Sequence, residues 1–315
     1  MERGLKSVAV LREERKASKF GKPTTGFFAL VGVGLLVTLG VAYFASNREL
    51  EAARGDLLKK QRAAAETVGK EWSPLRDSLE AVALAEAKAP VSEDLVKPEV
   101  ATWDFRALPG IYLRVRQAEA TTVEALRAAA ATSQRDGFCA CLMKGQPAPE
   151  GDAGVADERP WNLHRAYAAT RVLEPSWVDE VKSAENDTRL RVFAQQYEKA
   201  QVGAIPVAIE IVKRAQFFML VLDEDTDEAK SEADGGVPTS EQLQAMGHPA
   251  RVVVVNLKTK DVVVRLRRTA GGQFFMAGEH HAADPETMAA MRRQVNNCAL
   301  AQAVTAELTK VAAPK

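Results

Sequence analysis

Cysteine, aromatic residues and surplus charge of either sign are scarce in this sequence of 315 residues. Its 3 cysteines are too few for a scaffold built on disulfides. Aromatic residues make up only 6%, while Ala-rich stretches are frequent, and this favours helices over an all-β fold. Lys and Arg together number 42, as do Asp and Glu, so the formal net charge is zero. A neutral chain is not expected to wrap nucleic acid.

Motifs for catalysis and for metal binding are also lacking. The sequence has no G-x-S-x-G elbow, no phosphate-binding loop and no dinucleotide fingerprint. Glu279, His280 and His281 lie in a loop, without the i, i+4 spacing of helical zinc ligands. The acidic run at 223–228 does not follow the spacing of a calcium loop. We therefore predict no metal and no cofactor, and catalysis is disfavoured, although an active site assembled from scattered residues stays open.

A long apolar run is present at 26–45, which reads GFFALVGVGLLVTLGVAYFA and carries no charge. Its 20 residues match a hydrocarbon core of about 30 Å. The run is longer than the apolar region of a signal peptide, and no small-x-small cleavage site follows it. The sequence predicts an uncleaved signal anchor, that is, a single transmembrane helix with the lipid bilayer as its partner.

Basic residues near the two ends of this run predict its orientation. Seven Lys or Arg residues precede it, and five occur in the 20 residues that follow. This bias places a short basic tail, 1–25, in the cytoplasm and the remainder outside. The Ala- and Arg-rich composition suits a bacterial inner membrane, so we expect a single-pass protein with a periplasmic C-terminal domain.

Small residues recur at every fourth position of the apolar run, at Gly34, Thr38 and Ala42. Such spacing lets two membrane helices approach closely, which predicts packing into a homodimer. The alternative is that small residues are simply common in membrane helices.

Residues 46–101 are expected to form a helical stalk and a linker. The stretch from Asn47 to Trp72 is rich in Ala, Glu, Lys and Arg, and a second helix is expected to start at Ser73 and Pro74. Leu50, Leu57 and Ala64 repeat every seven residues, but the coiled-coil pattern is poor. The stalk either pairs with a second chain or packs on its own domain.

Residues 102–315 are expected to form the folded domain. GIYLRVRQ at 110–117 alternates as a half-buried strand does, and FCACLMK at 138–144 is interpreted as another strand. Two β-branched runs within 250–268 predict a hairpin, and Asp284 with Pro285 opens a final helix. The predicted fold is α+β: a transmembrane helix, a stalk, and a mixed sheet of about five strands covered by helices.

Cys139, Cys141 and Cys298 are the candidate disulfide residues. Outside the cytoplasm disulfides persist, and a bond from Cys139 or Cys141 to Cys298 is easier than one between the two neighbours. Buried free thiols are the second interpretation, and reactive or metal-bound thiols are the third. The spacing lacks the two intervening residues that are usual in redox enzymes.

We interpret the protein as a structural, scaffold or binding module of the cell envelope. Its partners would be the bilayer, other envelope proteins and a second copy of the chain, without nucleic acid. Two alternatives remain open: a membrane-anchored enzyme or thiol-active protein using Cys139 and Cys141, and a ligand-sensing domain that signals through a partner.

Overall fold

The structure is a computed structural model that describes residues 25–91, 93–133, 136–143, 160–232, 236–273 and 284–312. Within these ranges, the side chains of residues 25–27, 29, 42, 43, 46, 231 and 232 are not described. Residues 1–24 of the predicted tail and the histidine pair at 280–281 therefore lie outside the described residues.

One sheet of six strands runs through the described part of the chain. Its strands, in the order of the chain, are β1 (Leu95–Val96), β2 (Gly110–Arg116), β3 (Trp161–Asn162), β4 (Phe217–Asp223), β5 (His248–Asn256) and β6 (Asp261–Ala270). Their order across the sheet is β1-β6-β5-β4-β2-β3. β2 is parallel to both β3 and β4, and the remaining pairs are antiparallel. The expected count of about five strands included the FCAC segment, which is not a strand, and it missed the two-residue strands β1 and β3.

Helices lie on both faces of this sheet. They are α1 (Thr25–Lys88), α2 (Val123–Thr132), α3 (Phe138–Leu142), α4 (His164–Thr170), α5 (Pro175–Lys182), α6 (Asp187–Lys199), α7 (Ile205–Arg214), α8 (Asp227–Glu232), α9 (Ser240–Ala245) and α10 (Pro285–Ala312). As predicted, Asp284 caps α10, because its carboxylate accepts the amide hydrogen of Thr287 at 2.9 Å.

Alternation along the strands divides the buried side chains into two cores. On β2, Ile111, Leu113 and Val115 face a core shared with α1, α2 and α4–α7. Tyr112 faces the opposite core, which α3 and α10 cover. Because side chains alternate between the faces of a strand, Arg114 and Arg116 point to the same side as Tyr112. The face that carries α3 and α10 therefore receives the charged residues of β2.

The predicted stalk is part of the folded core. α1 is one helix of 64 residues, and it passes through Pro74 without a second start. Its residues Leu57, Trp72, Leu79 and Ala83 are between 1% and 7% exposed and belong to the first core. Trp72 also packs edge-on against Tyr167, with ring centroids 6.1 Å apart. Of the two alternatives for the stalk, the structure shows the second, since this stretch buries its apolar face on its own domain.

The prediction of a transmembrane helix at 26–45 is contradicted. Over the described side chains, no helix combines the length and the apolarity needed to cross a membrane. The signal anchor is contradicted with it, and the envelope location that depended on it stays a prediction.

The FCAC segment is a short helix, α3, and not the strand that we predicted. A short apolar run of this kind does not distinguish a buried strand from a buried helix. Here Phe138 and Leu142, four residues apart, bury one helical face in the second core. As a result, Cys139 and Cys141 point in different directions around the helix axis.

Arginines on the hairpin hold the C-terminal end of α1. Arg251 on β5 donates from Nη1 to the carbonyl oxygen of Ala89 at 2.6 Å. Arg265 on β6 binds Glu86 through two hydrogen bonds, of 2.8 and 2.5 Å. Cations at the C-terminus of a helix also complement its dipole. This end of α1 is therefore fixed to the sheet by both packing and charge.

Candidate functional site

A buried ion pair joins the carboxyl ends of the parallel strands β2 and β4. Arg114 and Asp223 form a bidentate contact, with Nε to Oδ2 and Nη2 to Oδ1 both at 2.8 Å. Their side chains are 2% and 1% exposed. The register places Arg116 opposite Asp223 and Arg114 opposite Val221. The pair therefore ties together two neighbouring strands at the point where both end.

Further polar groups complete the environment of the Arg114 guanidinium. Its Nη1 donates to Asn297 Oδ1 at 2.6 Å and to Asp136 Oδ2 at 3.3 Å. The hydroxyl of Tyr112 donates to the same oxygen of Asp136 at 2.6 Å. These residues come from β2, α10 and the turn before α3. Satisfied networks of this kind stiffen a core, because each member fixes the geometry of the others.

The network changes the acidity of its members. Burial alone would raise the pKa of Asp223, but Arg114 and His248 outweigh it and hold this pKa well below its usual value. The pKa of Tyr112 lies well above its usual value because of burial and the nearby charge of Asp136. Burial opposes the charged form of Arg114, yet Asp223 and Asp136 raise its pKa. Asp223 and Arg114 are therefore ionised, and Tyr112 keeps its proton.

His248 lies at the edge of this network with a fully buried side chain. Its Nε2 lies 2.8 Å from Asp223 Oδ1, and its Nδ1 lies 3.0 Å from the carbonyl oxygen of Met246. Both ring nitrogens thus face hydrogen-bond acceptors, and neither is directed to solvent. A general base needs one nitrogen that can reach a substrate, so this histidine supports structure rather than proton transfer.

A crevice of about 750 Å³ opens above the network. The buried residues Arg114, Asp136, Asp223 and Asn297 contribute to its floor. The last turn of α2 and the first turn of α9 contribute to its walls. A wider groove of about 960 Å³ continues between α9 and α10 and shares Thr239, Glu241 and Arg293 with the crevice. Both volumes lie within the usual range for small-molecule sites.

The cysteines stand beside this crevice. A disulfide joins Cys141 on α3 to Cys298 on α10, with their Cα atoms 5.0 Å apart and a sequence separation of 157. Cys139 is free and partly buried. Burial and the charge of Asp136 raise the pKa of its thiol well above the usual value. Because the thiolate is the reactive form, this environment opposes the thiol-active alternative.

The other predicted site residues lie far along the chain from the crevice. Gly34 and Thr38 are in the first part of α1, where an added Cβ at Gly34 would meet nothing within 4 Å. The Thr38 hydroxyl donates to the Leu35 carbonyl oxygen one turn earlier. The side chain of Ala42 lies outside the described residues, so the packing seam stays a prediction. Within the described ranges, no group of three or more metal-binding side chains occurs.

Sequence reasoning missed the ion-pair network. We interpreted GIYLRVRQ as a half-buried strand, which would place both arginines in solvent, yet Arg114 and Arg116 are only 3% and 5% exposed. A signal was present in the ends of two apolar strands. The last three residues of β2 include Arg114 and Arg116. β4 ends at Asp223, and Glu224 and Asp225 follow it directly. Opposite charges at the ends of neighbouring parallel strands would have indicated the pair.

The chain matches no known family model, no curated protein and no solved structure.

Proposed function

We propose that this protein is a structural assembly module, in which the first part of α1 binds apolar helices of another protein chain. The observation that carries the proposal is a set of large apolar side chains on residues 28–44 that are 49% to 76% exposed. Exposed apolar surface on this scale marks an interaction site in most proteins. We call residues 28–44 the apolar segment.

The described side chains of the apolar segment are exposed on more than one side of the helix. Leu35, Leu36 and Val37 are consecutive, and each is more than half exposed. Successive residues of a helix point about 100° apart, so these three side chains cover three sides of α1. A helix that is apolar all round is buried in its working state. The partner must therefore surround the segment, as several helices of a bundle do.

The rest of α1 supports an assembly role. The same helix is buried in the domain from Leu57 onward, and Arg251 and Arg265 hold its C-terminal end. One continuous helix thus connects the apolar segment to the sheet. This arrangement would fix the domain at a defined distance from whatever binds the segment, as a scaffold requires.

The polar network favours assembly over catalysis. Its charged members pair with one another, and the Cys139 thiol is shifted away from its reactive form. Reactive sites generally need a group that is both activated and accessible. The described part of the chain presents apolar surface more prominently than it presents such a group.

A cross-linking experiment on the full chain tests the proposal. A photoreactive amino acid would replace Leu36 in the apolar segment or, as a matched control, Val202, which is 78% exposed on the π-helical stretch Ala200–Ala204 between α6 and α7. We expect a discrete protein adduct from position 36 and none from position 202. A mass of twice the chain would identify a second copy as the partner.

A second variant separates binding from chance proximity. Leu36→Lys together with Leu39→Lys places two charges on the apolar segment, and burying them against apolar helices is costly. We expect the adduct from a photoreactive group at Leu35 to disappear in this variant, while Val207→Lys on α7 leaves it unchanged. If no protein adduct forms from the segment in the parent chain, the proposal is wrong.

A further inference from the structure

His248, the first residue of β5, connects the sheet to the short stretch that follows α9. Its side chain is fully buried. Its Nε2 lies 2.8 Å from Asp223 Oδ1 on β4, and its Nδ1 lies 3.0 Å from the carbonyl oxygen of Met246. The same carbonyl oxygen accepts a hydrogen bond from Asn296 Nδ2 on α10 at 3.0 Å. The ring therefore lies between the carboxyl end of β4 and the junction of α9 with α10.

Both partners of the His248 ring are hydrogen-bond acceptors. A carbonyl oxygen cannot donate, and the ionised Asp223 already accepts two N–H groups from Arg114. A neutral imidazole donates from one nitrogen and presents a lone pair at the other. Either neutral tautomer would therefore place a lone pair against an acceptor oxygen, at 2.8 or 3.0 Å. The imidazolium donates from both nitrogens and satisfies both contacts.

The balance of charge in the buried network also requires a second cation. Asp136 accepts hydrogen bonds at both of its oxygens, as a carboxylate does. Asp136 and Asp223 are 3% and 1% exposed, and Arg114 is 2% exposed. One guanidinium against two carboxylates leaves an uncompensated buried negative charge, which is costly. Because Tyr112 keeps its proton, an imidazolium at His248 makes the network neutral.

Other charged groups on this side of the sheet have partners of their own. These groups are Arg116 with Asp225, Arg293 with Glu241, and Arg268 and Lys310 with Asp94 and Glu307. Glu119 is 34% exposed, and Glu286 and Arg292 on α10 are exposed, so water screens their charges. The Cys139 thiol stays neutral, because burial raises its pKa well above the usual value. The buried carboxylates therefore remain the charges that His248 has to balance.

We propose that His248 is a proton-dependent latch, which as an imidazolium joins Asp223 to the Met246 carbonyl oxygen and holds the α9–β5 connection on the sheet. Loss of the proton would set a lone pair against one of these oxygens. Arg114 fixes Asp223, so the Met246 contact is the one that opens. Met246 and Asn296 also line the groove between α9 and α10, and the proton thus holds one wall of that groove. The latch is independent of the apolar segment, since the two use different parts of the chain.

Nitrogen NMR of the histidine rings in the full, disulfide-bonded chain tests the charge of His248. An unperturbed histidine, with a pKa of about 6.5, is about 90% neutral at pH 7.5. We expect both ring nitrogens of His248 to carry protons at this pH. The variant His248→Gln identifies these signals, because it lacks them. An unprotonated ring nitrogen at His248 at pH 7.5 overturns the proposal.

A change of one buried carboxylate tests why the proton is held. Asp136→Asn leaves one carboxylate for one guanidinium, so the network no longer requires a second cation. In an NMR titration up to pH 10, the pH at which His248 loses its second proton should fall by about one unit or more. Glu241→Gln makes the same chemical change in the partly exposed pair with Arg293 and should leave that pH unchanged. Equal titration of His248 in the parent and in Asp136→Asn contradicts the proposal.

Hydrogen exchange tests whether the imidazolium holds the α9–β5 connection. His248→Gln resembles the neutral ring, because glutamine offers one donor group and one acceptor. We expect the amides of residues 240–247 to exchange about tenfold faster in this variant, as the loss of one charge-assisted hydrogen bond implies. The matched control is His164→Gln on α4, where the ring contacts the Ala130 carbonyl oxygen. It should leave exchange in 240–247 unchanged.

Circular dichroism verifies that both glutamine variants remain folded. Equal exchange of residues 240–247 in the parent and in His248→Gln overturns the latch. If His248→Gln does not fold, the ring titration of the parent and of Asp136→Asn still decides whether His248 is the second cation.

Discussion

Two parts of α1 have the same backbone and opposite surroundings. In residues 57–87 the buried apolar positions Leu57, Ala64, Trp72 and Leu79 recur every seven or eight residues, with charged residues between them. This period puts them on one face, and that face packs on the domain. In the apolar segment the apolar residues are consecutive, so they cover every side and one domain surface cannot bury them. The pattern of apolar residues, and not the helix itself, decides whether a stretch packs internally.

The two parts of α1 also differ in their charged residues. The far end of α1 is tied down by Arg251, which contacts both Glu224 and the last carbonyls of the helix. The apolar segment carries no charged residue between Phe28 and Phe44. A helix can therefore be rigidly bound at one end and still present an unmatched apolar surface at the other.

The largest expected effect comes from removing the arginine that holds the C-terminal end of α1 to the sheet. Arg251→Met removes the contact with Glu224 and the hydrogen bond to Ala89, leaving a buried carboxylate less well paired. We expect a loss of about 3–5 kcal/mol in the free energy of unfolding, measured by urea denaturation. Arg48→Met, in the exposed stretch of the same helix, should change it by less than about 0.5 kcal/mol. Similar losses for both variants would show that the two parts are equally bound.

Truncating one leucine in each part is the next test. Leu79 is 3% exposed in the first core, and Leu36 is 69% exposed. Leu79→Ala should cost about 3 kcal/mol of unfolding free energy through lost burial and the cavity it leaves. Leu36→Ala should leave domain stability within about 0.5 kcal/mol of the parent. A large effect at Leu36 would mean that the segment packs on its own domain.

A fall in pH should lower the free energy of unfolding of the domain that holds the C-terminal part of α1. Burial opposes ionisation of Glu224, but Arg267 and Arg251 hold its pKa below the usual value, and the pKa of Asp223 is lowered in the same way. A carboxylate with a lowered folded pKa adds stability that is complete above its unfolded pKa of about 4 and is lost as pH falls through the folded value. We expect a loss of about 2 kcal/mol between pH 5 and pH 2.

The pH dependence is checked by urea unfolding at a series of pH values. Asp223→Asn removes one of the responsible carboxylates, so the decline toward low pH should be shallower than in the parent. An unchanged slope would mean that the contacts with Arg114 and His248 do not lower the pKa of Asp223.

The smallest expected effect concerns glycines in the two parts. Gly55 is exposed in the helix interior, and an added Cβ would meet nothing within 4 Å. Gly55→Ala should stabilise the domain by up to about 1 kcal/mol, because alanine favours helix. Gly34→Ala removes a glycine from the apolar segment and should leave domain unfolding unchanged. Differential scanning calorimetry of both variants measures the contrast, and destabilisation by Gly55→Ala would count against a continuous helix.

Local patterns predicted the elements that depend on local physics. The β-branched runs around residues 258–260 form the β5–β6 hairpin, and Asp284 with Pro285 starts α10. Long-range contacts decided what local patterns left open or predicted wrongly. The FCAC segment is helical because Phe138 and Leu142 bury against the face covered by α10. The stalk is core because Trp72 and Leu79 find apolar partners far along the chain.

The candidate site was harder to predict than the fold. Arg114 and Asp223 are 109 positions apart, and only the parallel pairing of β2 with β4 brings them together. Asn297 joins them from a helix that starts more than 60 residues after β4. The cysteine prediction left the pairing open, and the structure joins Cys141 to Cys298 while Cys139 stays free.

Hydrogen exchange along α1 tests the central claim most directly. The account holds that residues 57–87 are protected by their own domain and that the apolar segment is protected by another chain. In the assembled parent both stretches should exchange slowly, and Leu36→Lys with Leu39→Lys should speed exchange in residues 28–44 while 57–87 stay protected. Loss of protection in both stretches together, or in neither, would contradict the account.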